Sequence, residues 1–408
     1  MKNPILITIL ITSIALSTSA QEKKTVLTLE RAIEIALENN PELKVSSADV
    51  DLMKSQVLGS KSNYYPQVES RFIFPFIGTE SGVFLDQQIW DFGRTSSLVK
   101  ASKANLKSSK FLKENTQDII TQNVTIAYYS VLADQHIAIA TIKSVEESEK
   151  RLTQIENFVR VGRLSQVELN KAKVNLGNSR LNLIKAQNAL EISKAELYTA
   201  MGVSGSFDFE LVDMLEYKDI NLDLETLTDK ALEFSPELKS LIAKDEALKS
   251  DLIASKKEFF PTIFSRVAYR LRGEGATQPS FIAGIGIRIP IFEGLSRFAE
   301  VKESNARLRR SRAEIESMIQ QISSEVKEIF LNLKYAEESI AVTETSKASS
   351  EENLLLAQES FHLGRGSSLD LAEAEALNAI TNANYFQAIY NYKIAASQLE
   401  RATGEKLQ

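Results

Sequence analysis

The feature that most constrains this chain is an internal duplication. ALENNPELK at 36–44 returns as ALEFSPELK at 231–239, an offset of 195 residues. VGRLSQVEL at 161–169 returns as LGRGSSLDL at 363–371, an offset of 202 residues. Because the matching segments keep their order along the chain, the sequence predicts two copies of one structural unit, with one change of length between them.

Each copy is predicted to begin with two helices that a proline separates. Pro41 and Pro236 suit the first turn of a second helix, where a backbone N–H is not needed. That second helix must end before Pro66 or Pro261, because the residue that precedes a proline disfavours helical geometry. The predicted helices are 29–39, 41–63, 224–234 and 236–258.

A much longer helix follows in each copy. The segment from Arg94 to Arg160 contains neither proline nor glycine, and a helix of that length is ~100 Å long at about 1.5 Å per residue. Leucine recurs every seven residues from Leu169 to Leu197, and a small residue, Ala or Ser, comes three residues after each leucine. A seven-residue repeat predicts coiled-coil packing, in which the small residues permit close helix approach.

Two glycine turns connect the long helices. Gly162 and Gly364 are predicted to end a helix in the left-handed conformation. Ser165 and Ser367 then cap the next helix, with Glu168 and Asp370 at the third position of a capping box. We expect both turns to lie at the end of the molecule furthest from the strands.

Between the short and long helices, each copy contains a predicted β-hairpin, at 67–91 and 262–292. In the second copy Val267 and Tyr269 share a face that Arg266 and Arg270 oppose. Each strand has about ten residues, the length that crosses a bilayer. Soluble hairpins packed on the helices are the alternative. In lipid, four strands cannot close a barrel, so several chains would have to share one.

Composition restricts the compartment and the chemistry. Residues 1–20 read as a secretory signal, with an apolar run from Pro4 to Leu16 and the small residues of Thr18-Ser19-Ala20, so the mature chain is expected to begin near Gln21. The chain has no cysteine, so we expect no disulfides and no lipid anchor of the bacterial type, which is attached to a cysteine thiol. No later apolar run approaches the ~20 residues of a membrane helix, so any span would consist of strands.

No sequence motif points to catalysis, a cofactor or a bound metal. The two histidines, His136 and His362, lie far apart, and no zinc-ligand spacing, phosphate loop or nucleophile elbow occurs. The formal charge of −6 is spread along the chain without a basic block, which argues against nucleic acid as a partner. We therefore do not expect an enzyme.

The sequence strongly resembles the TolC-type outer-membrane efflux protein family. The resemblance depends on NNPELK and SPELK, YYPQV and FFPTI, WDFGR and FEGLSR, and VGRLSQVE and LGRGSSLD, and it covers essentially the whole mature chain. It implies a mainly α fold with a small β part, built as a duplicated unit of long coiled-coil helices and two β-hairpins. It also implies a homotrimer with an α-helical tunnel and a shared twelve-stranded transmembrane barrel.

The resemblance implies a function as well. The protein would be the exit duct of a tripartite efflux pump in the outer membrane of a Gram-negative bacterium, with outer-membrane lipid around it. Its partners would be a periplasmic adaptor (membrane fusion protein) and an inner-membrane transporter. A type I protein-secretion channel is the alternative within the same family, and a periplasmic coiled-coil adaptor or scaffold is the alternative from another class.

Candidate site residues follow by position in the motifs. The arginine-bearing strand faces predict barrel-lumen residues at Arg266, Arg270, Arg272 and Arg288. Adaptor-docking tips are implied at Val161, Gly162, Arg163, Leu164, Ser165, Leu363, Gly364, Arg365, Gly366 and Ser367. A periplasmic gate is implied at Phe361, Asp370 and Glu373. Some family members place an arginine where this chain has Gly366, so a gate held by that arginine is not implied here.

The predicted organisation has four parts: a signal peptide, a first repeat, a linker and a second repeat. The signal peptide is 1–20 and the linker is 203–222. The first repeat is 21–202, with its long helix pair at 94–202, and the second repeat is 223–408, with its long helix pair at 295–403.

Overall fold

A computed structural model of the chain describes residues 25–72, 81–203, 205, 209–212, 223–272 and 279–405. The first repeat contains β1 (Thr25–Leu27), α1 (Leu29–Asn39), α2 (Pro41–Lys61), a 3-10 turn (Ser62–Tyr64), β2 (Gln67–Arg71), β3 (Ser81–Trp90), α3 (Arg94–Arg160) and α4 (Gln166–Ala200). The remaining elements are β4 (Phe209–Leu211), α5 (Leu224–Phe234), α6 (Pro236–Lys257), β5 (Thr262–Arg272), β6 (Ser280–Arg288), α7 (Ser296–His362) and α8 (Ser368–Thr403).

Local signals fix the helix ends. Pro41 and Pro236 are the first residues of α2 and α6, and the side chains of Asn40 and Ser235 accept hydrogen bonds from backbone N–H groups in those first turns. The predicted bounds of α1, α5 and α3 are confirmed, while α2 ends two residues earlier than predicted because a 3-10 turn takes over before Pro66.

Four helices, α2, α3, α6 and α7, lie side by side in that order as a single layer. From the glycine turns, α4 folds back along α3 and α8 folds back along α7, and α8 also packs on α3. The predicted coiled-coil seam is confirmed at Leu176 and Leu197, which are buried. Leu197 belongs to the same core cluster as Val124 and Val131 of α3, which are seven residues apart. The small positions of the seam bring hydroxyls together, since Ser148 Oγ lies 2.9 Å from Ser179 Oγ.

The strands β2, β3, β5 and β6 form one antiparallel sheet in that order. The pairing of β3 with β5 joins the two repeats, so the hairpins share one sheet and leave β2 and β6 as its edges. The second hairpin was predicted to extend to residue 292, but its last strand, β6, ends at Arg288. In the first hairpin the period of two predicts that Val68, Phe74 and Phe76 share one face, and of these Phe74 and Phe76 lie outside the described residues.

Gly82 ends the segment 78–82, whose two glycines predict a turn, but it lies in β3, where it pairs with Arg71 and Arg270. A Cβ at this position would lie 2.2 Å from the backbone oxygen of Tyr269. Glycine is therefore needed for close approach of two strands rather than for a reversal of the chain.

A second, two-stranded sheet, formed by β1 and β4, was not predicted. β1 pairs in parallel with β4, although their sequences lie far apart and β4 falls in the predicted linker 203–222. The Tyr128 hydroxyl donates to the backbone oxygen of Leu27 at 2.9 Å and lies 3.0 Å from that of Val212. Tyr128 is fully buried at the centre of the cluster that α1, α3 and the end of α4 form.

Candidate channel wall, turns and gate

The two faces of the four-stranded sheet differ in burial. On the face that bears Arg266, Arg270 and Arg288 (the arginine face), Phe84 is 7% exposed and Ala268 is 2% exposed. On the opposite, apolar face, Phe281 is 69% exposed and Ile285 is 75% exposed. The arginine face is therefore covered over the central strands β3 and β5, whereas the apolar face is open.

Polar and aromatic partners hold the predicted lumen arginines. Arg266 donates two hydrogen bonds to the Asp86 carboxylate, at 2.6 and 3.1 Å, across the β3–β5 pair. The Arg288 guanidinium lies 5.4 Å from the centre of the Phe264 ring, which occupies the space above Gly286. Phe264 and Ile282 also lie on the arginine face, so this face is less polar than the sequence predicted.

Arg270 and Arg272 lie further along the same strand. Arg270 pairs with Gly82 and Ser280, and its Nε is buried without a hydrogen-bond partner among the described residues. The backbone of Arg272 pairs with Ser81, while its side chain lies outside the described part of the structure.

An aromatic band marks the junction of strands and helices. It consists of Tyr65, Trp90, Phe92, Phe259, Phe260 and Phe298, which are 40–64% exposed. A register shift at the end of β3 places Trp90 opposite Ile263, on the apolar face. Two groups of these rings are in contact. Trp90 meets Phe92 edge-on at 6.1 Å and Phe92 stacks on Phe260 at 5.3 Å, while Phe259 meets Phe298 edge-on at 5.1 Å. Exposed aromatic residues of this kind concentrate at membrane–water interfaces.

The first turn, Val161–Ser165, reverses the chain between α3 and α4. Gly162 has φ +73°, and the Arg163 N–H donates to the Phe158 carbonyl at 2.8 Å, which satisfies a terminal carbonyl of α3. Val161 is 68% exposed and Arg163 is also exposed, while Leu164 packs partly against the tip cluster around Ile155. Ser165 caps α4 by accepting from the Glu168 N–H at 3.4 Å, but the capping box predicted here is wrong, because the Glu168 carboxylate accepts from Ser368 and Lys171 instead.

The second turn, Leu363–Ser367, has the same backbone path. Gly364 has φ +74°, and the N–H groups of Arg365 and Gly366 both donate to the Ser360 carbonyl. Leu363 is 71% exposed and Arg365 is exposed. Ser367 and Asp370 form a complete capping box, with bonds of 3.1 and 3.0 Å. These backbone and side-chain hydrogen bonds lower the pKa of the Asp370 carboxyl.

The three predicted gate residues have different environments. Phe361 is 7% exposed and packs in a small core with Ile155, Ala172 and Leu371. Asp370 is exposed and closes its cap, and Glu373 is exposed on the next turn of α8. The two acids therefore lie exposed at the start of α8, whereas the Phe361 ring is buried inside the protomer and packs against Leu371 of the same helix.

Three contacts between the two helical hairpins lie just above the turns and were missed in the sequence. Arg151 of α3 forms a buried ion pair with Glu375 of α8, and Ser368 donates to the Glu168 carboxylate. Gln154 lies 3.2 Å from the His362 ring. Burial lowers the pKa of Arg151 to about 10, and the Ser368 hydroxyl lowers that of Glu168, so both groups are charged at neutral pH.

One signal in the sequence could have identified Arg151. It lies between the buried Ser148 and Ile155 on one face of α3, beside the row of Val145, Leu152 and Val159 at intervals of seven residues. A charged residue in such a seam requires a partner, because an unpaired buried charge is strongly unfavourable. Its partner on α8, more than two hundred residues away, has no comparable signal.

The sequence matches the family described as outer membrane efflux protein over residues 78–203 and 227–405. The chain therefore belongs to the outer membrane efflux protein family, which confirms the resemblance to TolC-type proteins. It is an outer-membrane efflux channel, and the alternative of a periplasmic adaptor is set aside.

Individual relatives agree with this assignment. The chain is 22% identical to the outer membrane efflux protein BepC of Brucella suis biovar 1, over 92% of this chain and 85% of that protein. The CmeC outer membrane channel of Campylobacter jejuni matches with a TM-score of 0.81 and 16% identity, over 93% of this chain and 87% of that one. The open state of the MtrE outer membrane channel of Neisseria gonorrhoeae matches with a TM-score of 0.77 and 16% identity, covering 93% and 89%.

Within the described residues, none of the helices combines the length and the apolar character that a membrane crossing requires.

Proposed function

We propose that three copies of this chain form one duct, with a twelve-stranded barrel in the outer membrane and a helical tunnel below it. The observation that carries this proposal is the four-stranded sheet, whose edge strands β2 and β6 have no second neighbour among the described residues and whose apolar face is open. Unpaired strand edges are not tolerated in lipid, and four strands are too few to close a barrel. Pairing β6 of one copy with β2 of the next removes every edge.

The helical layer supports the same closure. The edge helices of the layer are α2 and α7, and α7 presents exposed alanines at Ala299, Ala306 and Ala313, seven residues apart. Alanines at heptad spacing permit a neighbouring helix to approach closely. A neighbour's α2 on this row would continue the layer in the same order as within the protomer.

The duct would act as the exit of a tripartite pump. The first and second turns lie together at the far end from the strands, and each exposes an apolar side chain and an arginine, Val161 with Arg163 and Leu363 with Arg365. A periplasmic adaptor of the membrane fusion protein class would dock on these two turns. An inner-membrane transporter would supply the energy, and the duct would conduct its substrate passively.

Oligomeric state and conductance test this proposal. The protein is expected to stay with carbonate-washed membranes, to elute from detergent with the mass of three chains, and to conduct ions across a planar bilayer. A chain that leaves the membranes without detergent and runs as a monomer would contradict it.

The gate is a second part of the proposal. Asp370 and Glu373 would narrow the tunnel at the second turn, where three copies bring six carboxylates together. Replacing both with alanine is then expected to raise single-channel conductance, because the narrowest charged ring is lost. Replacing Glu338 and Glu344, two exposed acids higher on α7, is the matched control and should leave conductance unchanged.

Since Asp370 also caps α8, a further control separates charge from folding. Ser367→Ala removes the hydroxyl half of the capping box but keeps both carboxylates. If this variant raises conductance as much as the double variant does, the acids act only through the turn and the gate assignment is wrong.

A further inference from the structure

The long helices are strongly polarised in charge. Residues 94–113 of α3 contain six basic and no acidic side chains, whereas residues 114–160 contain four basic and seven acidic ones. In α7, residues 296–312 contain six basic and two acidic side chains, and residues 313–362 contain three and ten. Basic charge therefore concentrates at the end of each long helix that adjoins the strands.

Part of this charge has a regular position on all four helices of the layer. An upper level consists of Lys61, Lys100, Lys256 and Lys302. A lower level, seven residues further from the strands on each helix, consists of Lys54, Lys107, Lys249 and Arg309. We call these eight residues the basic collar. A spacing of seven residues keeps both members on one face of the helix, about 10 Å apart.

The collar lies on the same side of the helical layer as the aromatic band. On α7, Phe298, Lys302 and Arg309 are spaced by four and seven residues, so they share one face, away from the buried Leu308 and Ser311. Lys256 lies four residues before Phe260, as Lys61 lies four residues before Tyr65. Lys100 and Lys107 of α3 are the repeat equivalents of Lys302 and Arg309.

The collar side chains are available for a partner. Seven of the eight are exposed and Lys61 is half-buried. In the described part of the chain, Lys54 alone among them makes an ion pair, with Asp51 at 2.8 Å. By contrast, Arg94 pairs with Glu258, and Lys257 donates to Gly93 O and Ser97 Oγ. Those two cations hold helices together, and the collar cations do not.

We propose that the basic collar binds the anionic headgroups of phospholipids in the periplasmic leaflet of the outer membrane. This inference rests on the proposed membrane position of the aromatic band. The upper level lies ~6 Å below the band, within the headgroup layer. The lower level lies ~16 Å below it, about one Debye length from the headgroups. In a trimer each level would contribute twelve cations around the outside of the duct.

The chain contains its own reporter for this proposal. Trp90 is the single tryptophan and lies in the aromatic band, 55% exposed. In reconstituted vesicles, brominated phosphatidylglycerol and brominated phosphatidylcholine quench tryptophan fluorescence according to how often each lipid lies beside it. We expect phosphatidylglycerol to be favoured about two- to fivefold over phosphatidylcholine at low salt. This ratio of phosphatidylglycerol to phosphatidylcholine beside Trp90 should fall towards one in 0.5 M NaCl, because salt screens the headgroup charge.

A quadruple variant tests the upper level, with Lys61, Lys100, Lys256 and Lys302 each replaced by Gln. The lipid preference should be lost while Trp90 is still quenched. The matched control replaces four exposed lysines far from the band, Lys143, Lys173, Lys185 and Lys327, and should keep the wild-type preference. If the quadruple variant does not assemble, the salt dependence of the wild-type protein decides the question by itself.

The outcomes separate this proposal from the proposed function. If neither brominated lipid quenches Trp90, the membrane position of the band is wrong, and the duct proposal fails with it. If both lipids quench equally at low salt, or the preference survives in the quadruple variant, only the collar proposal fails. Lysine-dependent sedimentation with purified peptidoglycan, without any lipid preference, would assign the collar to the cell wall and overturn the lipid assignment.

Discussion

The two glycine turns have one backbone geometry and two different uses of an acidic side chain. Gly162 and Gly364 have φ values of +73° and +74°. In the second turn, Asp370 accepts from its own cap residue and completes the capping box. In the first turn Glu168, one methylene longer, accepts instead from Ser368 of the other hairpin and from Lys171. One turn is thus self-contained, and the other fastens the two hairpins together.

The same asymmetry holds about two turns higher on the long helices. Arg151 of α3 is buried against Glu375, whereas its repeat equivalent on α7, Asn353, is exposed. A duplicated unit placed beside its own copy meets a different neighbour on each side. Equivalent positions therefore need not have equivalent partners, even where the backbone is the same.

The largest expected effect comes from breaking the buried ion pair. Arg151→Met leaves the Glu375 carboxylate buried without its partner, which should lower the free energy of unfolding by about 3–5 kcal/mol. Asn353→Met, at the equivalent exposed position, should change it by less than about 0.5 kcal/mol. Denaturant unfolding of the detergent-solubilised protein, followed by circular dichroism, measures both. If the two substitutions lower the free energy of unfolding equally, the ion pair of Arg151 with Glu375 does not hold the two helical hairpins together.

The glycines of the turns should come next. Gly162→Ala and Gly364→Ala each force a side chain into the left-handed region and should cost about 1–2 kcal/mol. Both sites have open space around a Cβ, so the two costs should agree. Gly366→Ala is different in kind, because its Cβ would lie 3.1 Å from the Ser360 Cβ at an ordinary backbone conformation. A cost for Gly366→Ala that disappears in Ser360→Gly would identify that contact as the cause.

Cap removal should have a smaller effect and should distinguish the two turns. Ser367→Ala breaks a complete capping box and should destabilise the start of α8 by about 1 kcal/mol. Ser165→Ala removes one 3.4 Å bond and should cost about half as much. Hydrogen exchange of the first-turn amides of α8 and α4 measures each separately. A larger effect at Ser165 would contradict the comparison of the two turns.

The smallest expected effect is a pH dependence of the capping box at the start of α8. The folded pKa of Asp370 is lowered, so its stabilising contribution is present above the ordinary pKa of about 3.9 and is lost as the pH falls through the lower, folded value. Amide protection at the start of α8 should therefore weaken on acidification in the wild-type protein. In Asp370→Asn that dependence should disappear, whereas in Glu168→Gln it should remain.

Much of the local structure was predictable because the responsible signals are local. Pro41 and Pro236 begin their helices, Gly162 and Gly364 end theirs, and Ser165 and Ser367 cap the next ones, as predicted. The positions of the tip and gate candidates along the chain follow from the same signals. Their roles in docking and gating stay predictions, since these depend on other chains.

The predictions that failed concern contacts between distant segments. Gly82 was assigned to a turn because glycine marks turns, but the approach of the β5 backbone is what requires it. Phe264 was not placed on the arginine face, although the register of β5 with β6 brings it over Gly286. In both cases the alternation of residues within one strand was predicted correctly, but the residues that the neighbouring strand brings close were not.

By itself the sequence determined the duplication, the helix ends, the heptad seams and the strand period. Each of these depends on steric and hydrogen-bonding preferences within a few residues. Only the tertiary structure decided the parallel pairing of β1 with β4, the ion pair of Arg151 with Glu375, and the alignment of eight basic residues beneath the aromatic band. These features join segments far apart in the chain, and their free energy depends on which surfaces the fold brings together.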